Sequence, residues 1–248
     1  MASRPGAVVS LQRLLLLAVV PALMLVGVHI LLQFLADWFA LDGRFIGPDA
    51  YMRVLRVGDL ASGGSWYEPV AERSNAPYGE ILHWTRPLDL LLLLGGALGA
   101  PLLGFDSALF AWATVFSPML HIFTLVVLLW ACHPLLNQKG LMLLGPLFAV
   151  QFFISFQFAA GRPDHHGLNI LFFIWQMGFA FRLSAVKCPK NLPLFAALPA
   201  TLALWISIEG AVGTAMILTA LCTAWIIHGG IYLHRMRLFL VSLSVGLI

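Results

Sequence analysis

Two clusters in this sequence combine residue types that bind cations. The first is Gly47-Pro48-Asp49-Ala50-Tyr51-Met52-Arg53, and the second is Gly161-Arg162-Pro163-Asp164-His165-His166-Gly167. Carboxylate and imidazole ligands together suit a divalent ion such as Mg2+ or Mn2+. Asp164 and His166 are two apart, and in an extended loop that spacing turns both side chains to one face. Asp49 supplies a third ligand if its own loop folds back over the second cluster. Each residue also has a plainer reading. Asp164 stands just before the apolar run that begins at Leu168, where an acid caps a helix and complements its dipole. Asp49 reads equally as a solvated loop acid. Arg53 and Arg56 either balance Asp49 and Asp59 or present a basic face to a phosphate.

Other candidates are more isolated. His83-Trp84-Thr85-Arg86-Pro87-Leu88-Asp89 joins a base, an aromatic ring and an acid. A Trp beside an Arg anchors a chain at a membrane surface, or clamps a lipid phosphate. Glu209 stands at the mouth of an apolar run, where an acid is a functional candidate by position. His29 and His121 fall inside apolar runs and read as buried, hydrogen-bonded histidines. The run Phe152-Phe153-Ile154-Ser155-Phe156-Gln157-Phe158 reads as packing. Cys132, Cys188 and Cys222 form no CxxC pair and read as small apolar fillers. No phosphate-binding glycine loop, dinucleotide fingerprint, H-E-x-x-H or G-x-S-x-G occurs, and no basic stripe points to nucleic acid.

The elements that must hold these residues are apolar. The 248-residue chain is 60% hydrophobic and 10% charged, with a mean hydropathy of +0.92. A soluble domain carries about 25% charged residues. A soluble enzyme, a secreted disulfide scaffold and a disordered tail are all excluded on this ground. The expected class is an all-α polytopic membrane protein. Spans are expected over about 14–36, 107–132, 141–160, 168–181, 192–208 and 211–227. A last run, 238–248, reaches Ile248, which suggests the N-terminal part of a longer protein. The first run follows Arg4 and Arg13 and is too long for a signal-peptide core, so it reads as a retained signal anchor. Between the first two spans lies one long loop, 37–106, rich in Gly, Pro and aromatic residues. Within it, Leu88–Leu103 reads as a helix lying along the membrane surface.

Charge placement selects this arrangement. With a cytoplasmic N-terminus, Arg4, Arg13, Lys139, Arg182, Lys187, Lys190, Arg235 and Arg237 all fall inside. All eleven acids then fall outside. Making Leu88–Leu103 a span inverts every later loop and destroys this segregation. Both cation-binding clusters therefore belong on the outer side.

The order of parts resembles the catalytic subunit of oligosaccharyltransferases of the archaeal and bacterial single-subunit type. More broadly it resembles the GT-C class of membrane glycosyltransferases. The resemblance rests on a signal anchor, an early P-D-A-Y-x-R at Pro48–Arg53, P-Y-G-E-I-L-H-W-T-R-P-L-D at Pro77–Asp89, and R-P-D-H-H at Arg162–His166. It covers about residues 10–185. In that family a first-loop acid and a D-x-D or D-x-H pair bind a divalent metal that contacts the diphosphate of a polyprenyl-linked sugar donor. By position, Asp49 matches the first-loop acid, Asp164 and His166 match the D-x-H pair, and His165 matches its middle position. Arg162 matches a basic residue that precedes the motif.

The resemblance implies a metal-assisted transferase acting at the extracytoplasmic face of a bacterial or archaeal plasma membrane. Asp49, Asp164 and His166 would hold Mg2+ or Mn2+, with Asp49 and Asp164 as catalytic acids. Arg53, Arg86, Arg162 and His165 would bind the donor phosphate. The partners implied are a polyprenyl-linked glycan donor, an acceptor protein or lipid, and membrane lipids. The family's W-W-D signature, carried by a soluble C-terminal domain, does not occur within these residues. Glu209 comes too early in span order to be matched to the family's later catalytic acid. The rival expectation is a non-catalytic polytopic protein, either a transporter-like bundle or an assembly subunit. Transporters place charge at mid-span, whereas charge here gathers at span ends.

Overall fold

The structure, a computed structural model, describes residues 10–35, 43–67, 70–82 and 84–248. Arg4, Ala36, Asp37, Asp42, Glu68 and His83 lie outside them. The described chain is all-α apart from one two-stranded antiparallel ribbon, Val70–Ala71 with Glu80–Ile81. Ten helices follow in order: α1 (Leu11–Leu35), α2 (Pro48–Ala61), α3 (Pro87–Leu103), α4 (Phe105–Cys132), α5 (Gln138–Ala149), α6 (Phe152–Gln157), α7 (His165–Leu183), α8 (Leu192–Ile206), α9 (Ala211–His228) and α10 (Gly230–Gly246). Three stretches, Leu11–Leu35, Phe105–Cys132 and Ile208–His228, are long and apolar enough to cross a membrane. The chain is thus an all-α membrane protein.

The chain divides into two compact units. The first contains residues 1–25, 122–151 and 168–248, and the second residues 26–121 and 152–167. In the first unit α8 packs against α9 and α10. Its core joins Phe179 and Leu183 of α7, Ala196 and Ala200 of α8, Ile217 and Leu221 of α9, and Tyr232 and Phe239 of α10. Small residues set the close approaches, as expected where apolar helices meet. A Cβ on Gly145 of α5 would stand 2.4 Å from the Pro21 ring of α1, and one on Gly178 of α7 would meet Trp130 at 2.3 Å.

Two arginines of this unit satisfy helix ends. The Arg182 guanidinium donates to the carbonyls of Trp130, Ala131 and Gly178 and stacks on Trp130. Arg235 donates to the carbonyls of Leu183, Ala185 and Val186. Trp130, Ala131 and Leu183 belong to the last turns of α4 and α7, whose carbonyls lack intrahelical partners, while Ala185 and Val186 follow the end of α7.

In the second unit α3 doubles back on α4. Gly104, at φ +77, makes the turn, a conformation that glycine adopts without strain. The glycines of Leu88–Leu103 form the contact face. A Cβ on Gly95 would stand 2.1 Å from the Trp112 ring, and one on Gly99 would stand 2.8 Å from Ala108. Trp112 also donates its indole N–H to the Leu91 carbonyl. The helix α2 buries Ala50, Arg53 and Val57 on one face, the spacing of an amphipathic helix. His29 and His121 meet, with Nε2 of one 3.2 Å from Nδ1 of the other, and His121 stacks on Phe158.

One expectation needs correcting. The run 141–160, read as a single span, is two helices that part at Val150–Gln151. Pro146 lies inside α5 and removes one backbone donor from its ladder.

The glycine face gives a direct test. Gly95→Val should lower the thermal midpoint in detergent, with a loss of about 1–3 kcal/mol from overpacking. Gly58→Ala, in α2 with open space around its Cα, should leave the midpoint unchanged or raise it. Equal behaviour of the two variants would show that α3 and α4 do not pack through Gly95.

Candidate metal centre

The Arg162–His166 loop is pinned before its side chains do anything. Gly161, at φ +78, donates its N–H to the Thr114 carbonyl of α4. Ser117 donates its hydroxyl to the Arg162 carbonyl, and Gln33 of α1 donates to the Ala160 carbonyl. Pro163 keeps Arg162 out of helical conformation, so α7 starts only at His165. The segment before α2 joins the same loop: Ile46 donates its N–H to the Gly161 carbonyl at 2.8 Å. That bond lies three residues from Asp49 on one side and three from Asp164 on the other.

Asp164 is buried, at 4% exposure, and sits directly ahead of α7. Its Oδ1 accepts the His165 backbone N–H at 2.6 Å, and the ring Nδ1 of His165 lies 2.6 Å from the same oxygen. That ring nitrogen is buried and has no hydrogen-bond partner among the described residues. It is close to the carboxylate but off the line a hydrogen bond takes. Oδ2 lies 3.4 Å from Nε2 of His166 and 3.9 Å from the Arg162 guanidinium. The two imidazole rings are 4.4 Å apart. Burial pushes the Asp164 carboxyl up, but the adjacent imidazoles of His165 and His166 and the His165 backbone N–H outweigh it. The group is held down to about 2.

Asp164, His165 and His166 form the one group among the described residues whose carboxylate and imidazole atoms converge within 4.8 Å. The donor set, one carboxylate and two imidazoles, is of a kind that divalent cations take. Asp49 stands outside this group. It is exposed on the first turn of α2 and makes no hydrogen bond or ion pair among the described residues. Phe45 positions that turn by donating its N–H to the Tyr51 hydroxyl and packing on Phe110.

Arg53 and Arg86 are engaged elsewhere. Both meet Asp89, at 2.9 and 3.1 Å. Arg56 is the third guanidinium on this carboxylate, at 3.0 Å. The partner of Arg53 and Arg56 is therefore Asp89 rather than Asp49 or Asp59. Sequence reasoning noted Asp89 only as the acid at the head of an apolar run. Its isolation at that apolar start was the one signal that it needed buried partners. Arg162 lies over Phe156 at 4.7 Å and near Asp164. Glu209 belongs to the first unit, where it accepts a hydrogen bond from Asn169 at 2.7 Å.

A depressed carboxyl contributes stability that is complete above its unfolded value near 3.8. That stability drains away as pH falls toward about 2. Thermal midpoints measured between pH 5 and pH 2 should therefore fall more steeply for the wild type than for Asp164→Asn. Parallel curves would mean that the carboxylate gains nothing from its histidines. Comparison with protein-family models, curated proteins and solved structures finds no match for this chain.

Proposed function

We propose that the chain is the N-terminal membrane part of a GT-C-type glycosyltransferase of oligosaccharyltransferase kind. It transfers a glycan from a polyprenyl phosphate or diphosphate donor to an acceptor on the extracytoplasmic side. The single observation that carries this reading is the convergence of Asp164, His165 and His166 in a pinned loop that is hydrogen-bonded to the segment just ahead of Asp49. The charge segregation in the sequence supports an outer-face site and a cytoplasmic N-terminus.

In this reading Asp164 and His166 hold the ion, with His165 beside them and Asp49 completing the set from the start of α2. A bound Mg2+ or Mn2+ supplies charge neutralisation at the departing phosphate. The chain's own residues do the rest. The Asp164 carboxyl, held down to about 2, is ionised at neutral pH and available to a cation. Arg162 adds positive charge beside the donor phosphate. Asp49, exposed and unpartnered among the described residues, orients the acceptor nucleophile. No nucleotide pocket is required, since the donor is lipid-linked.

Two measurements test this. Transfer from a polyprenyl-linked donor should fall by at least ~100-fold in Asp49→Ala, Asp164→Ala and His166→Ala, the scale of losing a catalytic electrostatic contact. Mn2+ should raise the thermal midpoint of the wild type in detergent, by about 2.7 kcal/mol of stability at one hundred times its Kd, and leave Asp164→Ala unmoved. Wild-type transfer in all three variants, or a midpoint indifferent to Mn2+, would sink the assignment and leave a non-catalytic helical bundle.

A further inference from the structure

A second cluster in the same unit points to a different ligand. Arg53 and Arg56 lie one turn apart on α2, Arg86 immediately precedes α3, and Asp89 is in the first turn of α3. The Asp89 carboxylate is fully buried, at 0% exposure. Its Oδ1 meets Arg53, and its Oδ2 is shared by Arg56 and Arg86. Trp84 covers the pair on α2, with its ring 4.3 Å from the Arg53 guanidinium and 5.9 Å from that of Arg56.

The three arginines are not equally served. Arg53 donates to Asp89 and to the Thr85 carbonyl. Arg86 donates to Asp89 and to the carbonyls of Ser65 and Trp66. Arg56 places a single nitrogen, Nη2, on both Asp89 and the Trp84 carbonyl. Its Nε and Nη1 are buried with no hydrogen-bond partner. A guanidinium has five donors and keeps its proton under any ordinary condition, so it cannot escape the deficit by neutralising. Buried charged donors without acceptors are expensive. Burial pushes the Arg56 group down, Asp89 pulls it up, and repulsion from Arg53 and Arg86 adds to the lowering.

What this geometry lacks is acceptor oxygens carrying negative charge. We propose that Arg56, backed by Arg53, Arg86 and Asp89, is the contact residue of an anion site for a phosphate group. A phosphate offers several charged oxygens to donors that point in different directions, which one more carboxylate could not serve as well. The neighbouring α3 leaves Leu90, Leu94 and Leu98 exposed, so a lipid phosphate with its chain along α3 and a free phosphate both satisfy the chemistry. Asp89 is the fixed counter-charge that keeps the three guanidiniums together when the site is empty. The proposal extends the phosphate role that the resemblance implies for Arg53 and Arg86, but none of these four residues belongs to the Asp164 group, so it can stand if the metal assignment fails.

The test is thermal unfolding of the purified full chain at constant ionic strength. It is run with inorganic phosphate against chloride, and with micelles carrying phosphatidic acid against phosphatidylcholine alone. The wild type should gain several degrees with one of the two phosphate sources. A response to phosphatidic acid alone assigns the site to lipid headgroups, and a response to inorganic phosphate assigns it to the free anion. Arg56→Gln should lose that gain, and Arg56→Lys, which keeps the charge but not the fork, should keep less than half of it. Both variants should keep the helical circular dichroism and cooperative unfolding of the wild type in chloride, which shows that they are folded without relying on the metal assignment. The same gain in wild type and Arg56→Gln, or no gain with either source, overturns it. If Arg56→Gln does not unfold cooperatively, Arg56→Lys carries the same comparison.

Discussion

A carboxylate taken out of water has to be met by positive charge, and the second unit meets two of them in opposite ways. Asp89 is surrounded by guanidiniums, and Asp164 by imidazoles with one arginine farther off. The choice of partner decides what each site can do. Guanidinium carries only donors and never loses its charge, so the Asp89 cluster can add nothing but an anion. A neutral imidazole exposes a lone pair, the kind of donor that the proposed cation at the Asp164 cluster would need. Burial is common to both sites, and the chemistry of the neighbours sets their polarity.

Both clusters depend on a backbone with little freedom, in a chain poor in polar side chains. The second unit obtains it from close contact. The glycine face of α3 lets Trp112 and Ala108 of α4 come within a Cβ's breadth, which fixes the helix that bears Asp89. The loop bearing Asp164 hangs from the carbonyl of Thr114 and the hydroxyl of Ser117 on α4. The first unit faces the related problem of helix ends without water. There Arg182 donates to the Trp130 carbonyl in the last turn of α4, and Arg235 to that of Leu183 at the end of α7. Unmet carbonyls in an apolar medium cost several kcal/mol each, so these arginines are structural.

The all-α class and the Asp164–His166 pair were legible because both are local: one follows from composition, the other from a spacing of two. The partners of Arg53 and Arg56 were not. Sequence proximity offered Asp49, four residues before Arg53, and Asp59, three after Arg56. Such exposed helix pairs contribute only about 0.2–0.5 kcal/mol. A guanidinium buried to the degree of Arg53, at 3% exposure, requires a partner buried with it, and among the described residues the acid it meets is Asp89 on another helix. Tertiary burial therefore outweighed local spacing. The glycines of Leu88–Leu103 gave no sign in the sequence that they are the face on which this helix packs against α4. The interruption at Val150–Gln151 left no mark in hydropathy, because apolar residues stand on both sides of it.

The two oxygens of Asp164 are held in different ways. Oδ1 takes the backbone N–H of the next residue, His165, where α7 starts, rather than the N2 or N3 donor that a capping side chain serves. Oδ2 lies 3.4 Å from His166 and 3.9 Å from Arg162, both longer than a hydrogen bond of 2.7–3.2 Å, a range that is roughly where such bonds cluster. It is held by charge, without a committed donor. The backbone bond therefore occupies one lone-pair face and fixes the carboxylate, while the other oxygen stays directed between His166 and Arg162.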